Sequence, residues 1–180
     1  MKNNIEIILK SVGIVKSEIK EPPARSEKTK ISLSEKIEKI KAERKKVKET
    51  IAEIIIEPDK TDLLDGIEDH SHVMILYWGD KVSDKAREIK KVHPMGIEDL
   101  PEKGIFATCS QARPNPILIT TVKLIGKKDN ILKVQGLEAF DNSPIVDIKP
   151  YSTSYHQAKN PKTPEWMQKI HKKLKETAHN

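Results

Sequence analysis

The chain has 180 residues, which suits one domain with a small appendage, and its 33 Lys and Arg against 27 Asp and Glu give a formal charge of +6. This mild excess permits a polyanionic partner without requiring one. The single cysteine, Cys109, excludes an intrachain disulfide framework and any cysteine-rich zinc or iron–sulfur site. The polar interruptions in MKNNIEIILKSVG, and apolar runs far short of the ~20 residues of a membrane helix, favour a cytoplasmic protein without membrane contact.

The first half of the chain predicts strands around one long helix. Residues 5–16 are rich in β-branched aliphatic side chains, and Gly13 among them indicates a bulge or bend in a strand. Ser32 and Glu35 have capping-box spacing, and apolar residues then recur at helical intervals, which predicts an amphipathic helix over about 33–50. Seven Lys and Arg against four Glu make residues 35–49 net +3. Further strands are predicted over 52–57 and 73–78.

The second half of the chain predicts more strands and a basic tail. A long loop with one helical turn is expected over 79–104, followed by short strands over 104–108, 117–125, 131–137 and 144–148, with a hairpin turn at 126–130. Thr163 and Pro164 mark the start of a helix that runs to Thr177. Many short strands without an alternating strand–helix rhythm favour a mainly β barrel or sandwich with helical additions.

Common catalytic and nucleotide-binding motifs are missing from the sequence. No two glycines are separated by a single residue, so a G-x-G-x-x-G dinucleotide loop is impossible, and no Walker A sequence is present. Neither G-x-S-x-G nor H-E-x-x-H occurs. The sequence therefore does not support an ordinary nucleotide-binding loop, a serine hydrolase or a zincin.

Histidines are concentrated in one segment, Asp69-His70-Ser71-His72. If a strand begins here, His70 and His72 share one face, as two metal ligands would, with Asp69 or Glu68 as an oxygen donor. No other His or Cys cluster supplies a third ligand of that kind. We therefore expect no metal and favour a polar strand entrance with one histidine facing a pocket.

The segment from Cys109 to Pro116 offers two further candidates. A catalytic thiolate at Cys109 would need a nearby base such as His72, and a small, partly buried cysteine is the simpler interpretation. In Arg113-Pro114-Asn115-Pro116 the prolines stiffen the loop, so that an arginine and an amide could recognise a carboxylate or phosphate. A loop braced by a hydrogen bond between the Asn and the backbone is an equal alternative.

The densest polar pattern lies in residues 141–151. By strand alternation Asp147 and Lys149 share one face, so a carboxylate and an ammonium lie side by side. A solvated ion pair is the usual reason for such neighbours, and the flanking prolines and Tyr151 favour a pocket wall as the alternative.

Three segments taken in order carry a family resemblance: DGIEDHSH at 65–72, GIFAT running into RPNPI over 104–117, and DIKPY at 147–151. Together they resemble the TsaA-like β-barrel proteins, the family of tRNA threonylcarbamoyladenosine methyltransferases. The resemblance covers roughly residues 10–155. The resemblance implies a β-barrel, and with the residue patterns it predicts a barrel domain over 1–155. The helix at about 33–50 is an insertion in that domain, and a basic helical tail follows over 156–180.

The resemblance also implies a function. The family uses S-adenosylmethionine without a Rossmann fold, methylates the exocyclic nitrogen of threonylcarbamoyladenosine beside the tRNA anticodon, and works as a homodimer with the cofactor near the subunit interface. By position, its cofactor contacts fall on Ala24, Arg25, Ser26, His72, Val73, Cys109, Ile119, Asp141, Asn142, Ser143 and Pro144. Arg113, Asn115 and Tyr151 are the expected substrate-binding residues.

For catalysis we expect Asp147 to be the base that removes a proton from the acceptor nitrogen, with Lys149 holding its carboxylate or a substrate oxygen. The chain departs from the family where Cys109 replaces an arginine and Leu118 replaces a glycine. These departures leave two alternatives: a methyltransferase with the same cofactor and another acceptor, or a non-catalytic module that binds RNA or protein through its two basic helices.

Overall fold

The computed structural model describes residues 5–20 and 33–176, and in them six antiparallel strands close into a barrel. The barrel strands are β1 (Gly13–Lys16), β2 (Ile51–Ile56), β3 (His72–Trp78), β6 (Ile117–Lys128), β7 (Ile131–Gln135) and β8 (Pro144–Pro150). A small hairpin outside the barrel joins β4 (Lys91–Val92) to β5 (Lys103–Gly104), and the helices are α1 (Leu33–Glu49), α2 (Asp84–Arg87), α3 (Thr153–His156) and α4 (Glu165–Glu176). The predicted mainly β barrel is confirmed.

The strands pair around the barrel in the order β1, β2, β7, β6, β3, β8, and β8 returns to β1. Alternate side chains of each strand point inward and form an aliphatic core. Its fully buried members include Val15, Ile54, Val73, Ile75, Leu132, Val134 and Ile145, and Tyr77 adds an aromatic ring. Because the interior is filled by branched side chains, the barrel has a packed core and no central channel.

Gly13 allows the first two strands to approach closely. It pairs with Ile56 in β2, and a Cβ atom built on Gly13 would lie only 2.3 Å from the backbone oxygen of Ile55. The glycine that the sequence marked as a bend is therefore required by this contact between backbones.

The inserted helix and the tail pack together outside the barrel. The predicted helix over 33–50 is confirmed as α1, which packs against α4. Ile37 of α1, Ile170 of α4 and Ile97 of the intervening loop are buried, and they line a small cavity of about 380 Å³. None of the helices in the described part of the chain has both the length and the apolar character needed to cross a membrane.

Three local predictions are corrected by the structure. The strand predicted over 5–16 forms only from Gly13, and the strand predicted over 104–108 is wrong, because Ile105–Ala107 is a 3-10 turn. There Thr108 donates its hydroxyl to the Ile105 carbonyl at 3.0 Å, a local bond that replaces strand pairing. The hairpin turn predicted at 126–130 is shorter, because β6 continues past a register irregularity between Leu124 and Gly126 as far as Lys128.

Candidate functional site

One end of the barrel gathers the segments that the sequence singled out. Antiparallel pairing places the ends of β1 and β3 beside the beginnings of β6 and β8, and we call this the loop end. There the Gly79 N–H, just after β3, donates to the Pro116 carbonyl at 2.8 Å. The Asp141–Ser143 loop leads into β8 at the same end. The Arg113–Pro116 and Asp141–Pro144 motifs are therefore neighbours in space.

The Asp141–Ser143 loop holds the chain as it leaves β1. The Val15 N–H donates to the Ser143 carbonyl at 3.0 Å, and the Asn142 N–H donates to the Val15 carbonyl at 2.8 Å. Oδ1 of Asp141 accepts a hydrogen bond from the Ser17 N–H at 3.0 Å. Asn142 has a φ of +64°, which asparagine tolerates better than most residues. The Asp141 carboxylate thus fixes the path of the backbone after β1.

The outer face of the barrel next to the loop end carries the predicted catalytic pair. In β3, Leu76 pairs with Ile119 of β6 on one side and with Asp147 of β8 on the other, which gives one row across three strands. Lys149 lies on the same face, and its Nζ is 2.7 Å from Oδ2 of Asp147. The expected side-by-side placement of this carboxylate and ammonium is confirmed. The ion pair is half-exposed and open to a ligand.

A bulge in β8 adjusts this face. The pairing register shifts between Leu76 and Tyr77, so that Tyr77 pairs with Ile145 and Leu76 with Asp147, which leaves Val146 as the extra residue. Bulges of this kind re-aim side chains and are frequent beside active sites. Here the bulge keeps Ile145 in the core and still directs Asp147 to the outer face.

An apolar strip adjoins the ion pair. Ile117 is 38% exposed and Ile119 is 57% exposed on the outer face of β6, beside the half-buried Leu76 and Trp78 of β3. A barrel face of this kind can cover an apolar ligand or a second subunit.

Not all predicted cofactor residues come together. His72 is exposed at the far end of β3, four residues or about 13 Å from Leu76, and the Tyr151 N–H donates to its carbonyl at 3.1 Å. Val73 is fully buried in the core, so its side chain has no surface to offer a ligand. Ala24, Arg25 and Ser26 lie outside the described residues.

Arg113 folds back onto its own loop. Its Nε donates to the Ser110 carbonyl at 2.8 Å and its Nη2 donates to the Thr108 carbonyl at 2.7 Å. These two bonds fix the turn that presents Cys109, whose side chain is exposed. The loop is thus braced by the arginine, whereas the alternative from sequence assigned the brace to Asn115. That residue is exposed, and contact of Arg113 or Asn115 with a substrate stays a prediction.

Asp80 is a site residue that the sequence analysis missed. The buried Ser143 donates its hydroxyl to Oδ1 of Asp80 at 3.4 Å, which links the end of β3 to the Asp141–Ser143 loop. The available signal was the position of Asp80 two residues after an apolar strand, because strand ends at one edge of a barrel lie close together.

The predicted histidine pair does not share a strand face. His70 follows a 3-10 turn, Ile67–Asp69, and β3 begins only at His72. Within residues 5–20 and 33–176, no three His, Cys, Asp or Glu side chains are grouped so that they could hold a metal ion.

Tyr77 places a phenol inside the barrel near the loop end. Burial raises the pKa of Tyr77, the negative charge of Glu138 also raises it, and a hydrogen bond with Thr120 opposes the rise, so that together they bring the pKa to about 12. Thr120 also donates to Oε1 of Glu138 at 3.4 Å. The neutral phenol is therefore the form that the fold holds.

Tyr77→Phe is expected to reduce the loss of stability that the protein undergoes as the pH rises above 10. The pKa of the phenol is higher in the folded barrel than the ~10 of an unfolded chain, so its contribution is complete below pH 10 and is lost as the pH rises towards 12. Melting temperatures of wild type and variant from pH 8 to 12 measure this difference. Parallel curves for the two proteins would show that Tyr77 does not titrate with unfolding.

Comparisons with known proteins identify relatives of this chain. An S-adenosyl-L-methionine-binding protein of Archaeoglobus fulgidus is 36% identical over 146 residues, which cover 81% of this chain and 90% of that protein. A second A. fulgidus protein, named a probable S-adenosyl-L-methionine-binding protein, is 43% identical over 115 residues, which span 64% of this chain but only 30% of that relative. A Methanothermobacter thermautotrophicus protein with the same wording in its name is 34% identical, over 83% of this chain and 93% of its own length.

Solved structures share the fold. A crystal structure of TrmO matches with a TM-score of 0.63 at 21% identity and covers 88% of this chain and 64% of that one. TrmO from Pseudomonas aeruginosa matches with a TM-score of 0.57 at 21% identity, over 88% of this chain and 62% of its own. The chain thus spans less than two thirds of the TrmO proteins it resembles.

A family model matches residues 32–157 and tests the family expected from the sequence. The model is described as the tRNA-methyltransferase O N-terminal domain. This stretch includes the barrel from β2 onward, the Arg113–Pro116 and Asp141–Pro144 motifs and the Asp147–Lys149 pair. The match covers most of the chain and agrees with both the closed barrel and the relatives. The chain belongs to the family of the tRNA-methyltransferase O N-terminal domain.

Proposed function

We propose that this protein transfers a methyl group from S-adenosylmethionine to the exocyclic nitrogen of threonylcarbamoyladenosine beside the anticodon of tRNA. The observation that carries the proposal is the Asp147–Lys149 pair, open on the outer face of the barrel in the same row as Ile119 and next to the loop end. The family's description and the relatives' names support the cofactor and the reaction class.

The residues at the loop end fit this cofactor by their chemistry. S-adenosylmethionine carries a positive sulfonium and an ammonium, together with an adenine ring. Asp80 and Asp141 supply carboxylate oxygens at the loop end, which suit the positive groups. Ile117, Ile119 and Trp78 offer an apolar surface on the adjoining face, which suits the adenine. Pro144 begins β8 at the same loop end.

When bound, the cofactor supplies a methyl carbon activated by a positive sulfur, and the acceptor nitrogen forms its new bond as the carbon–sulfur bond breaks. The protein's main task is to align the nucleophile and leaving group and to keep water away. Asp147 accepts the proton that the nitrogen loses. Lys149, at 2.7 Å, holds the carboxylate in place and balances its charge before the transfer.

The proposal includes a homodimer and a cytoplasmic location. The apolar strip of Ile117, Ile119, Leu76 and Trp78 is a surface that a second subunit would cover. A cofactor held near Ile119 would then lie close to the subunit interface. Because tRNA modification takes place where tRNA is used, the same proposal places the protein in the cytoplasm.

Asp141→Ala is expected to weaken S-adenosylmethionine binding at least tenfold. The change removes the carboxylate that holds Ser17 and frees the segment after β1 at the loop end. Isothermal titration calorimetry of wild type and variant measures the affinity. Asp62→Ala, an exposed carboxylate after β2, is the matched control and should bind like wild type.

Absence of any binding heat for the wild type at millimolar cofactor would contradict the methyltransferase proposal. Equal affinity in Asp141→Ala and wild type would instead remove only this loop from the cofactor site.

A second candidate keeps the cofactor and changes the acceptor. The loop that carries Cys109 where the family has an arginine motivates it, because this loop adjoins the site. Mass spectrometry of tRNA from cells that lack the protein separates the two. Loss of one methyl group from threonylcarbamoyladenosine supports the tRNA acceptor, and an unchanged nucleoside profile favours the other.

A further inference from the structure

A groove of about 700 Å³ lies beside the candidate site, and the proposed cofactor does not account for it. Residues 87–90, residues 104–107 and Pro114 line it. The groove adjoins the loop end at two points. Arg87 packs over the ring of Trp78, 5.5 Å from its centroid, and Pro114 belongs to the loop whose Pro116 is bonded to Gly79.

The groove displays an aromatic ring to solvent. Phe106 lines it and is 81% exposed, although burying a phenylalanine side chain is worth about 1.5–3 kcal/mol. The ring is held on a firm support, because the Ile105 N–H donates to the Lys90 carbonyl at 2.9 Å and the Thr108 N–H donates to the Ile105 carbonyl at 3.2 Å. An exposed aromatic ring on a fixed turn is suited to stacking against a nucleobase.

The same groove is basic. Residues 81–91 contain five Lys and Arg against two Asp and Glu, so this short segment is net +3. Arg87 and Lys90 line the groove, together with one acidic residue, Glu88. Nε of Arg87 is buried and makes no hydrogen bond, and no other buried side-chain nitrogen or oxygen in the described part of the chain is left in that state. The guanidinium reaches the surface through Nη1, which lies 3.4 Å from Oδ1 of the highly exposed Asp84. An exposed ion pair of this kind is weak, so a phosphate can take the place of the carboxylate.

We propose that this groove binds single-stranded RNA that flanks the methylated nucleoside, with a base stacked on Phe106 and phosphates held by Arg87 and Lys90. The inference rests on the proposed function, in which tRNA is the substrate. It assigns the RNA contact to a surface that neither basic helix provides. An anticodon loop presents unpaired bases, which is the form of RNA that aromatic platforms recognise.

Phe106→Ala tests the stacking. The probe is an RNA stem-loop with the sequence of a tRNA anticodon arm, and the readout is its dissociation constant from fluorescence anisotropy. We expect a loss of about 5- to 150-fold, as for the removal of one stacking partner, and rescue by Phe106→Trp. S-adenosylmethionine affinity should be unchanged. Leu63→Ala, another highly exposed apolar side chain but beyond the end of β2, is the control and should bind RNA like wild type.

Charge variants test the phosphate contacts. Arg87→Gln and Lys90→Gln should each reduce the slope of log affinity against log salt by about 0.7, the value for one phosphate contact on a single strand. Glu88→Gln should tighten RNA binding, because it removes the negative charge of the groove wall. A variant with Lys169, Lys172, Lys173 and Lys175 all changed to Glu provides the comparison, because it alters the tail of the chain and leaves the groove intact.

Several results would overturn the inference. The first is an RNA affinity in Phe106→Ala equal to that of wild type. The second is a slope of log affinity against log salt that changes in the quadruple lysine variant and not in Arg87→Gln or Lys90→Gln. If Phe106→Ala changes the oligomeric state, as measured by light scattering, the groove is a contact between subunits. If Glu88→Gln binds the RNA stem-loop more weakly than wild type, the negative charge of Glu88 favours a positively charged ligand and the groove is not a phosphate site. If the Phe106→Ala variant still methylates tRNA and binds RNA like wild type, only the proposal for the groove is refuted. If the wild type binds RNA through Phe106 but transfers no methyl group, only the proposed enzymatic function is refuted.

Discussion

Gly13→Ala is expected to be among the most destabilising single substitutions in this barrel. The new Cβ would lie 2.3 Å from the Ile55 carbonyl oxygen and 2.9 Å from the Cα of Ile56, and both are backbone atoms of a paired strand that cannot move aside singly. Forced overpacking of a tight interior costs about 1–3 kcal/mol, and a clash between two backbones belongs at or above the upper end. Urea unfolding followed by circular dichroism gives the change in the free energy of unfolding.

The matched control for that experiment is Gly104→Ala. No heavy atom lies within 4 Å of a Cβ built there, and its φ of −55° is one that alanine adopts readily. Its free energy of unfolding should stay within about 0.5 kcal/mol of wild type. A Gly13 variant as stable as this control would show that β1 and β2 can separate without penalty, contrary to the closed barrel.

Asp147→Asn is expected to lower the methyl transfer rate by about 10²- to 10⁴-fold, the usual contribution of a positioned general base. Asparagine keeps the shape of the side chain and cannot take up a proton. The ion pair with Lys149 is half-exposed, so its loss should change stability by only ~0–1 kcal/mol. Single-turnover transfer of labelled methyl groups to tRNA measures the rate, and a thermal melt of the same sample measures the stability.

Two companion measurements make the Asp147 result specific. S-adenosylmethionine affinity should stay near wild type, so that a slow reaction is not merely a loss of cofactor. Asp62→Asn, an exposed carboxylate elsewhere, should retain the full rate. If Asp147→Asn reacts as fast as wild type, the pair is an ordinary solvated ion pair and the base is another group.

The architecture was largely predictable from local patterns. Strands such as β3 combine branched and aromatic side chains with a clear start and end, and α1 follows the helical spacing of its apolar residues. Ser32, the first residue of the predicted capping box, lies outside the described residues. The prediction for Ile105–Ala107 was wrong, because the apolar residues of this turn resemble those of a strand. In this turn, hydrogen bonds between side chains and the backbone determine the conformation. The spacing of apolar residues in the sequence does not show which groups form those bonds.

The site was predictable only in part, because it combines contacts between neighbours on one strand with contacts between segments that are far apart in the sequence. Neighbours along one strand, such as Asp147 and Lys149, follow directly from alternation, and their contact was expected. The contact between Ser143 and Asp80 joins segments 63 residues apart and depends on which strands are adjacent in the barrel. Transfer of positions from a family resemblance does not reveal burial: the side chain of Val73, one of the predicted cofactor residues, is fully buried in the core. Contact of its backbone with the cofactor stays a prediction.

The shared packing of α1 and α4 has an evolutionary consequence. Ile37 and Ile170 line the same small cavity, so a chain that lost the C-terminal helix would expose the apolar side of the inserted one. The two segments are separated by more than 100 residues but form a single structural accessory. Within the family, a sequence that lacks one of these helices should therefore carry polar side chains where the other would expose its apolar face.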